Sequence, residues 1–168
     1  MKNAIVIAAI VFFWTTACPV SAQQQYRPLP IYPQAQTSRH DSVETDKAHK
    51  LYELLRKENR RLRWDGCLAS KAMQRASRMV KGGYFDHEDP HTGRNPVWES
   101  VSQCVPVERR STRVPAGENL AKGKDTAANI HKALMESPTH RKNILDPRFN
   151  RVGVGCYESI CVELFVGL

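Results

Sequence analysis

The residues of this sequence that could do chemistry lie in three short segments, each with one side chain able to bind a metal ion. His87 ends the segment Tyr-Phe-Asp-His, Glu118 lies in Ala-Gly-Glu-Asn-Leu, and His140 lies in Ser-Pro-Thr-His-Arg-Lys-Asn-Ile-Leu. Imidazole nitrogens and carboxylate oxygens are common ligands of zinc and similar divalent ions. Each of these side chains alone is more simply explained as a hydrogen-bonded loop or core residue. The segments therefore indicate a site only if the fold brings them together.

A short helix is predicted to position His140. Ser137 is a good helix cap, and Pro138 at the first helical position loses no donor that the helix needs. The Asp-Pro pair after Leu145 closes the helix. His140 then lies near the positive helix end, which disfavours the imidazolium and keeps a nitrogen available for a metal.

Two longer helices are predicted before the first of these segments. A 3.6-residue pattern begins near Thr45, and its apolar stripe consists of Ala48, Leu51, Leu55 and Leu62. Asp65 is expected to cap the second helix, which Gly82 and Gly83 end. The second helix therefore ends just before the segment that carries His87.

Residues 84–117 have no sustained periodicity and are expected to include a short helix around Trp98. Asp125 or Thr126 is then predicted to cap a third long helix. The inward residues of that helix are expected to be Ala127, Ile130, Ala133 and Leu134.

The end of the sequence predicts a β-hairpin formed by residues 152–156 and 161–166. Alternation puts on one face Val152, Val154 and Phe165, and on the other Val162, Leu164 and Val166. Two apolar faces need cover on both sides, and Gly153 and Gly155 would let a helix approach closely. We therefore predict an α+β fold, a three-layer α/β/α sandwich with a small, mainly antiparallel sheet.

The N-terminal region predicts an exported chain. Lys2 precedes an apolar run, and small residues follow at the end of residues 1–22, as in a secretory signal peptide. The run is too short to span a membrane, so no transmembrane helix is expected in the mature chain. A Pro/Gln-rich spacer is predicted over residues 23–43 and one domain over 44–168. We expect a secreted or periplasmic protein, and Cys18 leaves lipid attachment as the alternative.

Four cysteines remain after the predicted leader: Cys67, Cys104, Cys156 and Cys161. An even number in an exported domain predicts disulfides, which these four could form in three pairings. A hairpin loop would set Cys156 opposite Cys161, so we favour that bond, which leaves Cys67 for Cys104. We interpret all four as bracing residues and none as a nucleophile.

The composition indicates one ordinary globular domain, with 41% hydrophobic and 25% charged residues in a chain of 168. Solvated helix faces explain much of the formal net charge of +8. An exported protein rarely meets nucleic acid, so we expect none as a partner. If the charge matters, a lipid headgroup or an anionic cell-envelope polymer is the more sensible partner, and we expect a monomer.

The order of the three segments, from about residue 47 to residue 167, resembles the CAP superfamily of cysteine-rich secretory proteins, antigen-five allergens and plant pathogenesis-related proteins. The likeness is greatest to its bacterial exported branch. In that branch two helices precede Phe-Ser-His, Gly-Glu-Asn and Ser-Pro-Gly-His-Arg-x-Asn-Ile-Leu segments, and a Gly-Val-Gly hairpin follows. The resemblance implies a three-layer sandwich with a central cleft, in agreement with the strand faces.

The resemblance also implies that His87, Glu118 and His140 line this cleft as ligands of a divalent metal, with zinc as the expected ion. Two histidines and one glutamate would leave a coordination position open. The neighbouring residues expected to line the same cleft are Asp86, Asn119 and Ser137.

Several positions depart from the family pattern. Thr139 stands where glycine is usual, Leu134 where tryptophan is frequent, and Asp86 where serine is common. A second cleft glutamate of many eukaryotic relatives falls on Ser137, and the adjacent Glu136 is rotated by about 100° in helical phase. The predicted site therefore has fewer carboxylates than those relatives.

We favour a non-enzymatic module that binds a metal and a lipid or cell-envelope ligand. The first alternative is a metal-dependent hydrolase or protease, which needs a spare general base that Glu118 could not be while it binds the metal. Neither a His-Glu-x-x-His helix nor a Gly-x-Ser-x-Gly turn is present. The second alternative is an envelope or virulence factor that contacts a protein partner through residues 87–115.

Overall fold

The computed structural model of the chain describes residues 39–110 and 114–168. In chain order its elements are α1 (Arg39–Glu58), β1 (Arg63–Trp64), α2 (Gly66–Gly82), α3 (Val97–Ser102), a 3-10 turn (Val107–Arg109), β2 (Ala116–Lys122), α4 (Ala127–Glu136), α5 (Pro138–Leu145), β3 (Arg151–Tyr157) and β4 (Ile160–Val166). No helix in these two ranges is long and apolar enough to cross a membrane. The predicted signal peptide, Cys18 and most of the predicted spacer lie outside the described residues.

The strands form one sheet in the order β1-β3-β4-β2. β3 and β4 form the predicted hairpin, and Val152 pairs in it with Phe165. β2 runs antiparallel to β4 at one edge, and the two-residue β1 runs parallel to β3 at the other edge. The sequence analysis did not predict β1 or β2, because β1 is very short and β2, Ala-Gly-Glu-Asn-Leu-Ala-Lys, has no β-branched residue.

Helices cover both faces of this sheet. One face is packed by α1, α4 and α5 in a cluster that includes Val152, Val154 and Phe165. The other face is packed by α2 and α3 in a cluster that includes Val162, Leu164 and Val166. The predicted α/β/α sandwich of the α+β class is therefore confirmed, with the predicted residues on each face.

α2 lies directly against β3 because two glycines of that strand leave room for its backbone. A Cβ atom on Gly153 would overlap the backbone nitrogen of Ala69, and one on Gly155 would overlap that of Met73. The close approach that the two glycines predict is therefore present.

Local signals place the two ends of α2 where the sequence predicts them. The Asp65 carboxylate accepts a hydrogen bond of 3.0 Å from the backbone N–H of Leu68. Gly83 ends the helix in the left-handed conformation, with φ of 68°. A residue without a side chain adopts this conformation at little steric cost.

Two disulfides brace the domain in the favoured pairing. Cys67, in the first turn of α2, is bonded to Cys104, just beyond α3. Cys156 is bonded to Cys161 across the β3–β4 hairpin.

α1 differs from the prediction at both ends. It begins at Arg39, inside the predicted spacer, and ends at Glu58, so Leu62 reaches the core from the turn that follows the helix. The chain must leave the helix there because the backbone N–H of Arg63 donates to the carbonyl of Asn150 and starts the pairing of β1 with β3.

The buried face of α4 differs from the prediction in one of its four residues. Its buried residues are Ala127, Ile130, His131 and Leu134. Ala133 is exposed, so its predicted inward position is wrong. His131 takes that place because residues one, four, five and eight of a helix share a face. Its Nε2 atom lies 3.6 Å from Glu58 Oε1 of α1.

Candidate functional site

Glu118 is the buried centre of the candidate site. It lies in the edge strand β2, on the face that α2 covers, and pairs in register with Leu164. Its Oε1 atom is 2.9 Å from His87 Nδ1, and its Oε2 atom is 3.4 Å from Arg75 Nε. Burial raises the pKa of Glu118, and the interactions with His87 and Arg75 oppose that rise. Two partners that can carry positive charge therefore hold a carboxylate that is only 6% exposed.

Arg75 connects Glu118 to the loop that carries His87. It is buried on the inner face of α2, and its Nη1 donates to the hydroxyl oxygen of Tyr84 at 2.9 Å. Its Nη2 donates to the backbone carbonyls of Asp86, at 2.6 Å, and His87, at 3.1 Å. One guanidinium thus positions both Glu118 and the backbone next to the imidazole.

Further contacts order the same loop. The Tyr84 hydroxyl donates to Asp89 Oδ2 at 3.2 Å, and Asp89 Oδ1 accepts from the backbone N–H of His91 at 2.9 Å. Asp89 is buried, whereas the His87 side chain is 47% exposed. The loop therefore presents His87 to solvent on an internally bonded support.

The next residue of β2 points to the opposite face of the sheet, because side chains alternate along a strand. The Nδ2 atom of Asn119 donates to the carbonyl of His140 at 3.2 Å and to Glu163 Oε2 at 3.0 Å. The Nδ2 atom of Asn143 donates to Asn119 Oδ1 at 2.9 Å and to the carbonyl of Glu118 at 3.2 Å. These bonds attach α5 to the strand, so the site straddles the edge of the sheet.

His140 is half-buried in the first turn of α5. Its Nδ1 atom is 2.9 Å from the Ser137 hydroxyl, and its Nε2 atom has no hydrogen-bond partner in the described part of the chain. Burial, and then the charge of His87, lower the pKa of His140. The direction agrees with the sequence prediction, but burial and the neighbouring imidazole account for it here. The interaction also puts His87 and His140 in one electrostatic environment.

The neighbouring residues that were considered for the site make different contacts. Asp86 contributes its carbonyl to Arg75, while its exposed carboxylate accepts from the backbone N–H of Glu88 at 3.0 Å. Ser137 is the N-cap residue of α5, but its hydroxyl bonds to His140 Nδ1 and makes no capping hydrogen bond, so the predicted side-chain cap is wrong. Glu136 is exposed, with Oε1 3.8 Å from Lys132 Nζ, and makes no hydrogen bond or ion pair with His87, Glu118 or His140 among the described residues, as its helical phase predicts.

Two buried polar residues of this region were missed by the sequence analysis. Arg75 lies among the apolar positions of α2, and Glu163 lies in the middle of the apolar strand β4. Burial raises the pKa of Glu163 to about 7, and the hydrogen bond from Asn119 opposes that rise. A charged residue at the core phase of an otherwise apolar element was the signal available for both.

The family model described as the cysteine-rich secretory protein family, CAP, matches residues 22–165. The chain belongs to this family. It is 37% identical over 108 residues to the uncharacterised protein YkwD of Bacillus subtilis, an alignment that covers 63% of this chain and 39% of YkwD. The chain thus spans about two fifths of the length of YkwD.

Solved structures share the CAP fold of this chain at low sequence identity. An extracellular protein containing an SCP domain from Bacillus anthracis has a TM-score of 0.66 at 24% identity, over 84% of this chain and 45% of that one. A cysteine-rich secretory protein from Staphylococcus aureus has a TM-score of 0.55 at 13% identity, over 81% and 40% of the two chains. An outer surface protein of Borrelia burgdorferi has a TM-score of 0.52 at 19% identity, over 74% and 89%. These similarities support the fold.

The three predicted donors, His87, Glu118 and His140, are only partly brought together in this structure. Within residues 39–110 and 114–168, no group of three or more His, Cys, Asp or Glu side chains is arranged to hold a metal ion. His87 and Glu118 are in direct contact, whereas within the described residues no hydrogen bond joins the His140 side chain to either of them. The types of donor fit zinc, and side-chain rotation would have to complete the set.

Proposed function

We propose that this protein is an extracellular CAP module that binds a divalent metal ion, zinc by the chemistry of its donors, through His87, Glu118 and His140. The observation that carries the proposal is the 2.9 Å contact between His87 Nδ1 and the buried carboxylate of Glu118. An imidazole and a carboxylate that are hydrogen-bonded at this distance can both coordinate one metal ion after a small movement.

Zinc geometry supports this step. Nitrogen and oxygen ligands at about 2.0–2.1 Å from a tetrahedral zinc ion lie roughly 3.3 Å from each other. The observed pair would therefore have to open by only a few tenths of an ångström. Arg75 would keep Glu118 ionised and in place, as hydrogen bonds from neighbouring residues commonly do for metal-binding carboxylates.

The site supports binding better than hydrolysis. A hydrolase needs a free base near the metal-bound water, in addition to the metal ligands. Glu118 would be a ligand, and Glu163 is 1% exposed on the opposite face of the sheet, where it bonds to Asn119. Neither carboxylate is placed to serve as that base.

A groove of about 820 Å³ lies beside the Arg75 network and supports an amphipathic lipid or cell-envelope compound as the second ligand. It shares Tyr84 with the Arg75 network, and Met73 adds apolar surface. Arg78 and Lys81 lie on its rim and suit a ligand with an anionic end.

Zinc titration calorimetry on the mature protein and on His87→Ala, His140→Ala and Glu118→Gln tests the metal proposal. We expect each substitution to weaken zinc binding by about 100-fold or more, because each removes one donor. His91→Ala is the matched control, since His91 lies in the same loop as His87. We expect it to change the affinity by less than roughly threefold, the scale of effects outside a ligand set.

The pH dependence of the zinc affinity is a second test of the same site. Only neutral imidazole binds zinc, so protons compete with the metal as the pH falls. Lowering the pH from about 7.5 to 5.5 should therefore weaken binding by roughly 10- to 100-fold. Wild-type protein that binds no zinc, or equal losses in His91→Ala and His87→Ala, would reject the metal site.

The lipid part of the proposal needs a separate variant. Ser77→Trp adds a large side chain to the groove wall from α2. We expect it to abolish binding of a fluorescent long-chain fatty acid while zinc affinity stays unchanged. Unaltered fatty-acid binding in Ser77→Trp would reject the groove as the lipid site.

A further inference from the structure

A second candidate site lies at the opposite edge of the sheet. A surface cavity of about 600 Å³ is lined there by Arg60, Arg61, Arg63, Arg148 and Arg151. Arg60 and Arg61 lie in the turn after α1, and Arg63 lies in β1. Arg148 lies in the turn after α5, and Arg151 is the first residue of β3. Because β1 and β2 are the two edge strands, the width of the sheet, about 14 Å, separates this arginine pocket from the cleft.

Most of the charge in the arginine pocket is not neutralised. Arg148 forms an ion pair with Asp146, at 2.6 Å between Nη2 and Oδ2, and Arg61 Nη1 donates to the carbonyl of Pro147 at 3.3 Å. Among the described residues, no hydrogen-bond or ion-pair partner is found for the side chains of Arg60, Arg63 and Arg151. No acidic side chain is among the residues that line the cavity.

The pairing of β1 with β3 places two of these positively charged residues next to each other. Arg63 is the register partner of Arg151, so two guanidinium groups extend from directly opposed positions on neighbouring strands. Like charges on neighbouring positions of paired strands repel each other. A local arrangement that costs stability without compensation is expected mainly at functional positions. An anion between the two side chains would convert the repulsion into attraction.

Hydrogen bonds to backbone carbonyls hold the walls of the arginine pocket together. The Nδ2 atom of Asn59 donates to the carbonyls of Ile144, at 3.1 Å, and Asp146, at 3.3 Å, so the turn after α1 is attached to the end of α5. The carbonyl of Asn150 accepts from the backbone N–H of Arg63 at 3.1 Å. The three segments that carry the arginines therefore form a pre-organised frame.

We propose that the arginine pocket binds a phosphate-bearing polyanion. Guanidinium groups match phosphate oxygens with two parallel hydrogen bonds, and several of them around one concavity suit a ligand with more than one phosphate charge. This site is independent of the metal proposal, since its residues share no contact with His87, Glu118 or His140.

Calorimetry with inorganic triphosphate and co-sedimentation with phosphatidylglycerol vesicles test the proposal. Both are done at low salt with a chelator, so that metal binding at the cleft plays no part. Phosphatidylcholine vesicles are the lipid control. Binding of triphosphate would identify a soluble phosphate ligand, and binding of the anionic vesicles alone would identify a lipid headgroup. Either result supports the site, and binding of neither probe overturns it.

Charge-matched variants separate the arginine pocket from general electrostatic attraction. We expect Arg63→Gln/Arg151→Gln to weaken binding at least about tenfold. Arg56→Gln/Lys57→Gln, in the last turn of α1, removes the same charge outside the pocket and should weaken it less than roughly threefold. Equal losses in the two pairs would overturn the proposal. Arg63→Lys/Arg151→Lys keeps the charge without the paired hydrogen bonds and should give an intermediate loss, which keeps the test decisive if the glutamine pair folds poorly.

Discussion

Replacement of Glu163 by glutamine should make the protein more stable at pH 8 than the wild-type chain, although it alters a side chain at the centre of the sheet. Glu163 is 1% exposed, and its Oε2 atom accepts a hydrogen bond from Asn119 at 3.0 Å. Its Oε1 atom has no hydrogen-bond partner among the described residues. Burial raises its pKa from 4.5 to about 7.

The magnitude follows from the proton that Glu163 binds. Between pH 4.5 and 7 the folded chain retains this proton while the unfolded chain has lost it, so the free energy of unfolding falls as the pH rises. Each unit of pKa difference corresponds to about 1.4 kcal/mol, and the loss approaches roughly 3 kcal/mol above pH 7. Glutamine cannot titrate, so Glu163→Gln should lack this loss while keeping an acceptor for Asn119.

Urea denaturation of the wild type and Glu163→Gln at pH 4.5 and pH 8 measures the effect. The free energy of unfolding of the variant, relative to the wild type, should rise by about 3 kcal/mol between the two pH values. Glu88→Gln is the control, because Glu88 is an exposed carboxylate. A difference between Glu163→Gln and the wild type that does not change with pH would refute the reasoning.

Two further substitutions test the packing around α2. Arg75→Met keeps the length of the side chain but leaves the Glu118 carboxylate buried without its cation, so we expect a loss of about 3 kcal/mol in the free energy of unfolding. Arg75→Met/Glu118→Gln should recover part of this loss, and a cost below about 1 kcal/mol for Arg75→Met alone would contradict the role of the ion pair. Gly155→Ala should cost about 1–3 kcal/mol, because the new methyl group meets the backbone of Met73. Gly66→Ala, with no atom within 4 Å of the added methyl, should leave the melting temperature unchanged or raise it, and an equal loss in both variants would reject the close-contact explanation.

Elements defined by nearby residues were predictable. Asp65 and Gly83 set the ends of α2 through contacts within a few residues. α5 begins at Pro138 as predicted, although the Ser137 side chain makes no capping hydrogen bond. The faces of the β3–β4 hairpin followed from strict alternation, and the Cys156–Cys161 bond followed from the hairpin.

Predictions failed where a polar residue occupied a core position or where pairing came from a distant part of the chain. Ala133 was predicted to face the core of α4 and His131 was not, although helical phase puts His131 inside. β2 was not predicted, because it forms only by pairing with β4, whose register partners lie 38 to 50 residues later. Its recognition would have shown that Glu118 and Asn119 point to opposite faces.

The sequence by itself determined the helices, the hairpin and the candidate segments with His87, Glu118 and His140, since periodicity, caps and turns depend on neighbouring residues. Only the tertiary structure decided that Arg75 meets Glu118, that Asn119 meets Glu163, and that five arginines surround one cavity. These contacts join residues far apart in the chain. Burial gives the Arg75–Glu118 contact its strength, because a charge removed from water must find its partner within the fold.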